Sequence, residues 1–129
     1  MSSKPLVASY LDAISSGRTE EALAFYAPDV VQIEFPNQLL PGGATRTLQQ
    51  LRDAGEQGKK VLSSQSYVVT RIVEEDGCVA FEADWTGTLK VSVGSLKPGD
   101  TMRAHFAQFL VFENGKIVRQ HTYDSFEPF

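Results

Sequence analysis

Cysteine, histidine and clustered basic residues are all scarce in this chain. The single cysteine, Cys78, cannot form an internal disulfide and fits a reducing compartment; we interpret it as a small buried strand residue and not a nucleophile. The formal net charge of −4, with no basic cluster, argues against nucleic acid or an anionic membrane surface as a partner. No apolar run approaches a transmembrane helix or a secretory signal, so we expect a cytoplasmic protein.

Length and hydrophobic content favour one folded unit. The chain has 129 residues, of which 42% are hydrophobic, and it contains no internal repeat, low-complexity tract or linker-like segment. We therefore expect a single domain over residues 1–129, with a core large enough to leave a small cavity.

Three stretches in the first half of the chain are typical of helices. The first has apolar residues at helical spacing after Ser3, a candidate N-cap, and stops at Gly17. Thr19 caps a second, shorter helix that Pro28 ends. The third begins with capping-box spacing at Thr47 and Gln50. Their expected limits are residues 3–17, 19–28, and 47 to about 55 or 58, with a start two or three residues earlier as the alternative for the third.

The rest of the chain alternates in the manner of strands. Residues 30–35 form a short strand between the helices, with Gln32 and Glu34 on one face. Turn signals at Asp76-Gly77 and Asn114-Gly115 divide the second half into long β-rich segments. Helices followed by a four-stranded antiparallel meander predict an α+β fold, in which helices pack on one face of a curved sheet. The predicted strands of the meander are residues 64–75, 78–91, and the two arms of the last hairpin.

The last hairpin decides which polar side chains share a face. A two-residue turn at Asn114-Gly115 would place Gln108 opposite His121. A three-residue turn, with Gly115 as a left-handed bulge, would place Gln108 opposite Gln120 instead. A slip of one residue moves every side chain to the other face of the sheet, so the turn decides which polar groups face a pocket. The three-residue turn would also pair Phe106 with Thr122 and Ala104 with Asp124.

Several short motifs follow one another in a recognisable order over nearly the whole chain. They are Tyr10 in the first helix, FYAPDVV at 25–31, Gly43 opening the third helix, EDG at 75–77, and FENGKIV at 112–118. In this order they resemble the nuclear transport factor 2-like superfamily, in particular its SnoaL-like polyketide cyclase and ketosteroid isomerase branches. The resemblance implies a cone in which three N-terminal helices close one side of a strongly curved antiparallel sheet around an apolar pocket. It also implies a homodimer that pairs through the outer face of the sheet.

The same resemblance assigns roles to individual residues. Tyr10 lies where isomerases keep the tyrosine that hydrogen-bonds the developing enolate. Glu34 falls on their general-base aspartate, although one gap would put Phe35 there instead. Gln108 takes the place of the protonated aspartate that completes the oxyanion hole.

The polyketide-cyclase pattern is matched less completely. Its final strand carries a histidine and, two residues later, the acid that transfers protons, whereas this chain has Gln120 and Thr122 there. The resemblance favours the three-residue turn, because that register gathers the polar residues of the last two strands on the pocket side. These are Gln108, Gln120, Thr122 and Asp124, while His105, Phe109, Ile117, His121 and Tyr123 point outward.

Together these residues predict proton transfer beside a carbonyl group. The reaction needs a base with a pKa near neutrality, donors aimed at the forming oxyanion, and exclusion of water. We predict Glu34 as the base, with Asp124 as a second candidate acid, and Tyr10 with Gln108 as the donors. The expected protein is a cofactor-free isomerase, cyclase or lyase acting on a small apolar carbonyl compound. The predicted pocket residues are Gln32, Trp85, Phe106, Gln120, Thr122 and Asp124.

Other functions stay open at this point. A non-catalytic module of the same fold could hold a small apolar ligand or serve only for dimerisation. Aromatic residues such as Phe81 and Phe112 are bulky enough to fill the pocket. No metal site is predicted, because His105 and His121 have no third ligand at a suitable spacing.

Overall fold

The computed structural model describes residues 2–129 and contains helices packed against a single sheet. Within these residues, no helix is both long and apolar enough to cross a membrane. The helices are α1 (Lys4–Ser15), α2 (Thr19–Leu23) and α3 (Leu48–Val61). The strands are β1 (Tyr26–Glu34), β2 (Ala44–Arg46), β3 (Leu62–Glu75), β4 (Cys78–Leu89), β5 (Thr101–Glu113) and β6 (Lys116–Phe126).

The sheet has six strands in the order β2-β1-β6-β5-β4-β3. Strands β3 to β6 form the predicted antiparallel meander. The α+β prediction is therefore confirmed, but the sheet is mixed, because β1 lies parallel to β6. That pairing brings the polar face of β1 beside the last strand, with Gln32 opposite Gln120 and Glu34 opposite Thr122.

The helices follow the predicted order, but several of their limits differ. Thr19, predicted as the cap of the second helix, is its first residue, and Arg18 takes the cap position. The second helix does not reach Pro28 but ends at Leu23, and Tyr26 already belongs to β1. The change is explained by backbone pairing with the last strand, since the Ile117 amide donates to the Phe25 carbonyl at 2.8 Å. Gly43 precedes the short strand β2 and does not open a helix.

The third helix begins as predicted and ends later. The capping box is present, with the Thr47 side chain accepting from the Gln50 amide and the Gln50 side chain accepting from the Thr47 amide. The helix continues past both Gly55 and Gly58 to Val61. Lys59 and Lys60 lie in its last turn, where positive charge is favourable.

The β5–β6 hairpin has a two-residue turn, so the predicted three-residue turn is wrong. Asn114 and Gly115 both have positive φ, 51° and 75°, as a tight type I′ turn requires. A bulge then follows, because Phe112 pairs with Ile117 but Val111 pairs with Arg119. Because Val118 is an extra, unpaired residue in β6, the side chains of Gln108, Gln120 and Asp124 still share one face as predicted, although the residues that pair across the hairpin differ. Gln108 therefore lies opposite Thr122 and not opposite Gln120.

The bulge also reverses one predicted orientation. Ile117 was expected to point outward, but it precedes the bulge and is fully buried. It belongs to a core cluster formed by α1, α2, β1 and the strands around the hairpin. A second cluster, which includes Trp85, Met102 and Phe126, fills the other end of the sheet.

Candidate functional site

A cavity of about 640 Å³ lies between the helices and the concave face of the sheet. This volume is within the range of sites that bind drug-sized molecules. Leu23 of α2 and Leu51 of α3 contribute apolar lining. The predicted site residues that line the cavity are Tyr10, Gln32, Glu34, Phe106, Gln108, Gln120, Thr122 and Asp124.

Trp85 is the exception among the predicted pocket residues, because it does not lie on the cavity wall. Its ring stacks on Phe106, with ring centroids 5.3 Å apart and planes inclined by 22°, and its indole nitrogen donates to Gln65 at 3.0 Å. Strand alternation correctly turns Trp85 toward the concave face. Its place along β4, however, puts it in the second core cluster with Phe106 between it and the cavity.

Gln120 is the centre of a buried hydrogen-bond network. Its side chain is fully buried, and an amide in that position loses stability unless its hydrogen bonds are satisfied. The carbonyl oxygen accepts from the Tyr26 hydroxyl at 2.9 Å and from the Gln32 amide at 3.0 Å. The amide nitrogen donates to the Tyr10 hydroxyl at 3.2 Å and to the Gln108 carbonyl at 2.8 Å. All four hydrogen-bonding positions of the amide are thus used within the protein.

The same network determines where the Tyr10 proton lies. A phenol has one hydrogen, and that of Tyr26 is donated to Gln120. The short contact between the two tyrosine hydroxyls must therefore use the Tyr10 hydrogen, with Tyr26 accepting. Burial raises the pKa of both phenols, so they remain neutral around pH 7. Tyr10 can donate to a ligand only by giving up its bond to Tyr26, and its role as an oxyanion donor remains a prediction.

Glu34 is held at the edge of the cavity by two partners. The Arg46 guanidinium donates to one of its carboxylate oxygens at 2.9 Å, and Asn37 donates to the other at 2.9 Å. Arg46 reaches Glu34 because β2 pairs antiparallel with β1, and it also donates to Gln32 at 2.9 Å. The Glu34 carboxylate is therefore anchored on both oxygens, and its role as the general base remains a prediction.

Asp124 is the cavity carboxyl with the most perturbed environment. Burial, followed by the neighbouring charge of Glu34, raises the pKa of Asp124 to about 7, while Arg46 acts in the opposite direction. Its Oδ1 atom is buried and has no hydrogen-bond partner among the residues that the structure describes. A carboxyl group that is half ionised near pH 7 can both take up and release a proton.

Two neutral donors line the cavity together with Asp124. The amide nitrogen of Gln108 makes no hydrogen bond within residues 2–129, although its carbonyl oxygen accepts from Gln120. The Tyr67 hydroxyl is likewise without a partner in the described part of the chain, and burial raises its pKa. Both groups are free to donate to a ligand oxygen.

Tyr67 was missed at the level of sequence. It pairs with Trp85 across β3 and β4, and residues directly opposite each other in an antiparallel pair share a face. The alternation of β4, which turns Trp85 inward, could therefore have identified Tyr67 once the register was known. Within residues 2–129, histidine, cysteine, aspartate and glutamate side chains nowhere gather in threes as a metal would require.

The sequence model of the SnoaL-like domain matches residues 7–120 of this chain. No curated protein matches it significantly. Among solved structures, IdmH from Streptomyces antibioticus, a candidate polyketide cyclase, superposes with a TM-score of 0.81 at 20% identity, covering 96% of this chain and 92% of its own. A SnoaL-like polyketide cyclase from Agrobacterium tumefaciens gives 0.71 at 18% identity, with 96% and 91% covered.

A third solved structure carries a different functional description. A hypothetical protein of ketosteroid isomerase-like fold from Catenulispora acidiphila, crystallised with trimethylamine, has a TM-score of 0.77 at 16% identity. The match covers 95% of this chain and 86% of that protein. At these identities the three structures establish the fold and leave the reaction open.

Proposed function

The chain belongs to the SnoaL-like domain family, and on that premise we propose that it is a cofactor-independent enzyme that moves a proton next to the carbonyl group of a small, mostly apolar compound. Asp124 is the proton carrier in this proposal. Gln108 and Tyr67 stabilise the oxyanion, and the apolar lining excludes water. The reaction class is isomerisation, cyclisation or elimination, each of which begins with removal of a proton from carbon.

The observation that carries the proposal is the environment of Asp124. A general base works best when its pKa lies near the pH at which it operates, and burial brings that of Asp124 to about 7. Its Oδ1 atom is buried without a hydrogen-bond partner in the described chain, which disfavours the charged form, and the residue itself lines the cavity. In the first step, this carboxylate takes the proton from the carbon beside the carbonyl. The C–H electron pair becomes part of a carbon–carbon double bond, and the carbonyl oxygen becomes the oxyanion.

The oxyanion is stabilised by donors that carry no charge of their own. The free N–H group of Gln108 and the hydroxyl of Tyr67 supply two hydrogen bonds. Removing one such donor from an enzyme typically lowers kcat by about 10²–10³-fold. In an isomerisation, protonated Asp124 then returns its proton to carbon at a conjugated position. In an elimination the enolate electron pair expels a leaving group that takes up this proton, and in a cyclisation it attacks a second carbonyl carbon of the ligand, whose oxygen takes up this proton.

Glu34 acts on Asp124 and not on the substrate in this proposal. One carboxylate oxygen accepts from Arg46 and the other from Asn37, so both oxygens are occupied within the protein. A fixed negative charge nearby makes a second ionisation harder, and this contributes to the raised pKa of Asp124. Glu34 is thus a positioning residue.

Deuterium exchange tests the proposal directly. 2-Tetralone, a bicyclic ketone with acidic protons beside its carbonyl, is incubated in D2O with the protein, and the loss of its α-proton signals is followed by NMR. The expected result is exchange faster than in buffer, abolished by Asp124→Asn and slowed by Tyr67→Phe. Exchange that persists in Asp124→Asn would contradict the assignment of the base.

A non-catalytic ligand-binding module is the second candidate function. It is favoured by the hydrogen bonds among Gln120, Gln32 and Tyr26, which show that much of the cavity's polar lining serves stability. Comparing the binding of 2-tetralone with the exchange of its α-protons distinguishes the two functions. A protein that binds 2-tetralone but never exchanges its α-protons is a binding module.

We also propose that the protein forms a homodimer through the outer face of the sheet. Phe109 and Tyr123 are 46% and 44% exposed there and contact each other edge to face. An exposed apolar patch of this kind commonly marks an interface. Light scattering should give a dimer for the natural chain and a monomer for Phe109→Glu, with Gln49→Glu on the exposed side of α3 as a control. A natural chain that is monomeric at every concentration would contradict this.

A further inference from the structure

The mouth of the cavity differs in charge from its interior. We define the mouth as the exposed lining residues Ser16, Gly17, Lys59, Ser63, Ser64 and Lys90. Its charged members are two lysines. The carboxylates that line the cavity, Glu34 and Asp124, are both partly buried and belong to the polar end formed by β1 and β6. A positive mouth is notable in a chain of net charge −4.

The two lysines are held in place by local structure. Lys90 follows β4 directly, and its ammonium group donates to the Lys59 carbonyl in the last turn of α3 at 2.7 Å. A cation is favourable at the C-terminal end of a helix, and two of its three N–H groups remain available. Lys59 lies 3.9 Å from Glu56, and both side chains are largely exposed. Such a surface pair contributes little, so the Lys59 ammonium group remains able to bind an anion.

We propose that the ligand carries an anionic group, such as a carboxylate or sulfonate, which stays at the mouth beside Lys59 and Lys90 while the rest of the molecule fills the cavity. An apolar body with a charged end needs this arrangement, because burying an unpaired charge in the interior is very costly. The lysines offer the charge a partner without removing it from water. The carbonyl end, whose place beside Asp124 rests on the proposed function, then enters first.

Two dyes that differ by one charged group test this inference. 8-Anilinonaphthalene-1-sulfonate and N-phenyl-1-naphthylamine share an aromatic body, and only the first has a sulfonate. Their dissociation constants are measured by fluorescence for the natural chain and for Lys59→Met, Lys90→Gln and Lys60→Met. Lys60 is exposed and adjacent to Lys59 but does not line the cavity, so it is the matched control. Glutamine at position 90 keeps a donor for the Lys59 carbonyl while removing the charge.

Each of the Lys59→Met and Lys90→Gln variants should weaken binding of the sulfonate dye by about two- to fivefold, which corresponds to a partly exposed ion pair. The neutral dye should bind all variants equally, and 0.5 M salt should shrink the difference. Equal weakening of both dyes would mean that the lysines only support structure. Weakening by Lys60→Met as large as by Lys59→Met would mean non-specific surface binding. Either result overturns the inference.

This outcome is independent of the proposed reaction. 2-Tetralone has no anionic group, so its exchange depends on Asp124 and not on the lysines. If the lysine variants bind the sulfonate dye as tightly as the natural chain does, while 2-tetralone exchange is observed, only the proposed anion site at the mouth is refuted. If the lysine variants weaken binding of the sulfonate dye but no 2-tetralone exchange occurs, the anion site is supported and the proposed catalytic function is refuted.

Discussion

Glu34 and Asp124 lie on the same face of two parallel neighbouring strands, because Glu34 pairs with Thr122 and Asp124 follows two residues later. Both line the cavity. Arg46 binds Glu34 at 2.9 Å, whereas the Oδ1 atom of Asp124 has no partner in the described residues. Two carboxyl groups in one cavity are thus placed in opposite environments, an arrangement that suits one fixed charge and one proton carrier.

Replacing Glu34 by glutamine should lower the pKa of Asp124. The substitution removes the negative charge that raises this pKa and frees Arg46, which lowers it. The pH dependence of 2-tetralone exchange should therefore move to lower pH while activity is retained. The exposed substitution Glu82→Gln serves as the control. Complete loss of exchange at every pH in Glu34→Gln would instead identify Glu34 as the base.

Asp124 should make the protein less stable as the pH rises from about 4 to 7. Its pKa of about 7 in the folded state lies above the ordinary value of 3.8. Between these values the folded state binds more protons than the unfolded state, so the free energy of unfolding falls with rising pH. The full shift corresponds to about 4 kcal/mol, which partial exposure reduces to about 2–3 kcal/mol.

Urea unfolding of Asp124→Asn measures this effect. Asparagine stays neutral at every pH. The free energy of unfolding of the variant, relative to that of the natural chain, should therefore increase by about 2–3 kcal/mol between pH 4.5 and pH 8. Asp29→Asn, at an exposed position, should show no such gain. A stability difference that does not change with pH would show that Asp124 ionises normally in the folded state.

Gln120→Leu should destabilise the fold by about 2–4 kcal/mol, despite the similar size of the two side chains. The change leaves the buried hydroxyl of Tyr26 and the amide of Gln32 without their acceptor. Urea unfolding gives the comparison, and Gln49→Leu on the exposed face of α3 should change stability by less than about 0.5 kcal/mol. A neutral effect of Gln120→Leu would mean that water or repacking satisfies the network.

Two glycines with similar backbone angles should respond differently to alanine. Gly43 and Gly115 have φ of 64° and 75°. An added Cβ at Gly43 would lie 2.6 Å from the Glu34 carbonyl oxygen, whereas at Gly115 it would meet nothing within 4 Å. Gly115→Ala should cost about 1 kcal/mol from backbone conformation alone, and Gly43→Ala about 2–4 kcal/mol. Equal losses in thermal unfolding would show that the β1–β2 connection moves freely.

The faces of the strands could be predicted from the sequence, and their register could not. Alternation along the last strand put Gln120 and Asp124 on one face, and the family resemblance put Gln108 on that face with them. The bulge at Val118 left no local signal, since the residues around it suit a regular strand equally well. Register therefore depended on the bulge and could not be derived from the turn sequence alone.

The chemistry of the site depended on contacts between distant segments. Arg46 directly precedes Thr47, and nothing in the sequence predicted its ion pair with Glu34. The partners of Gln120 come from α1, β1 and β5, and only the folded chain gathers them. The family resemblance therefore predicted Glu34 as the base. The raised pKa of Asp124 and its buried Oδ1 atom, which has no hydrogen-bond partner in the described residues, favour Asp124 instead.

In the proposed function, Asp124 holds a proton that it can exchange near neutral pH. Carbon-13 NMR of the aspartate carboxyl groups, assigned by comparison with Asp124→Asn, measures its titration directly. The expected midpoint for Asp124 is near pH 7. A midpoint at the ordinary value near pH 4 would contradict it.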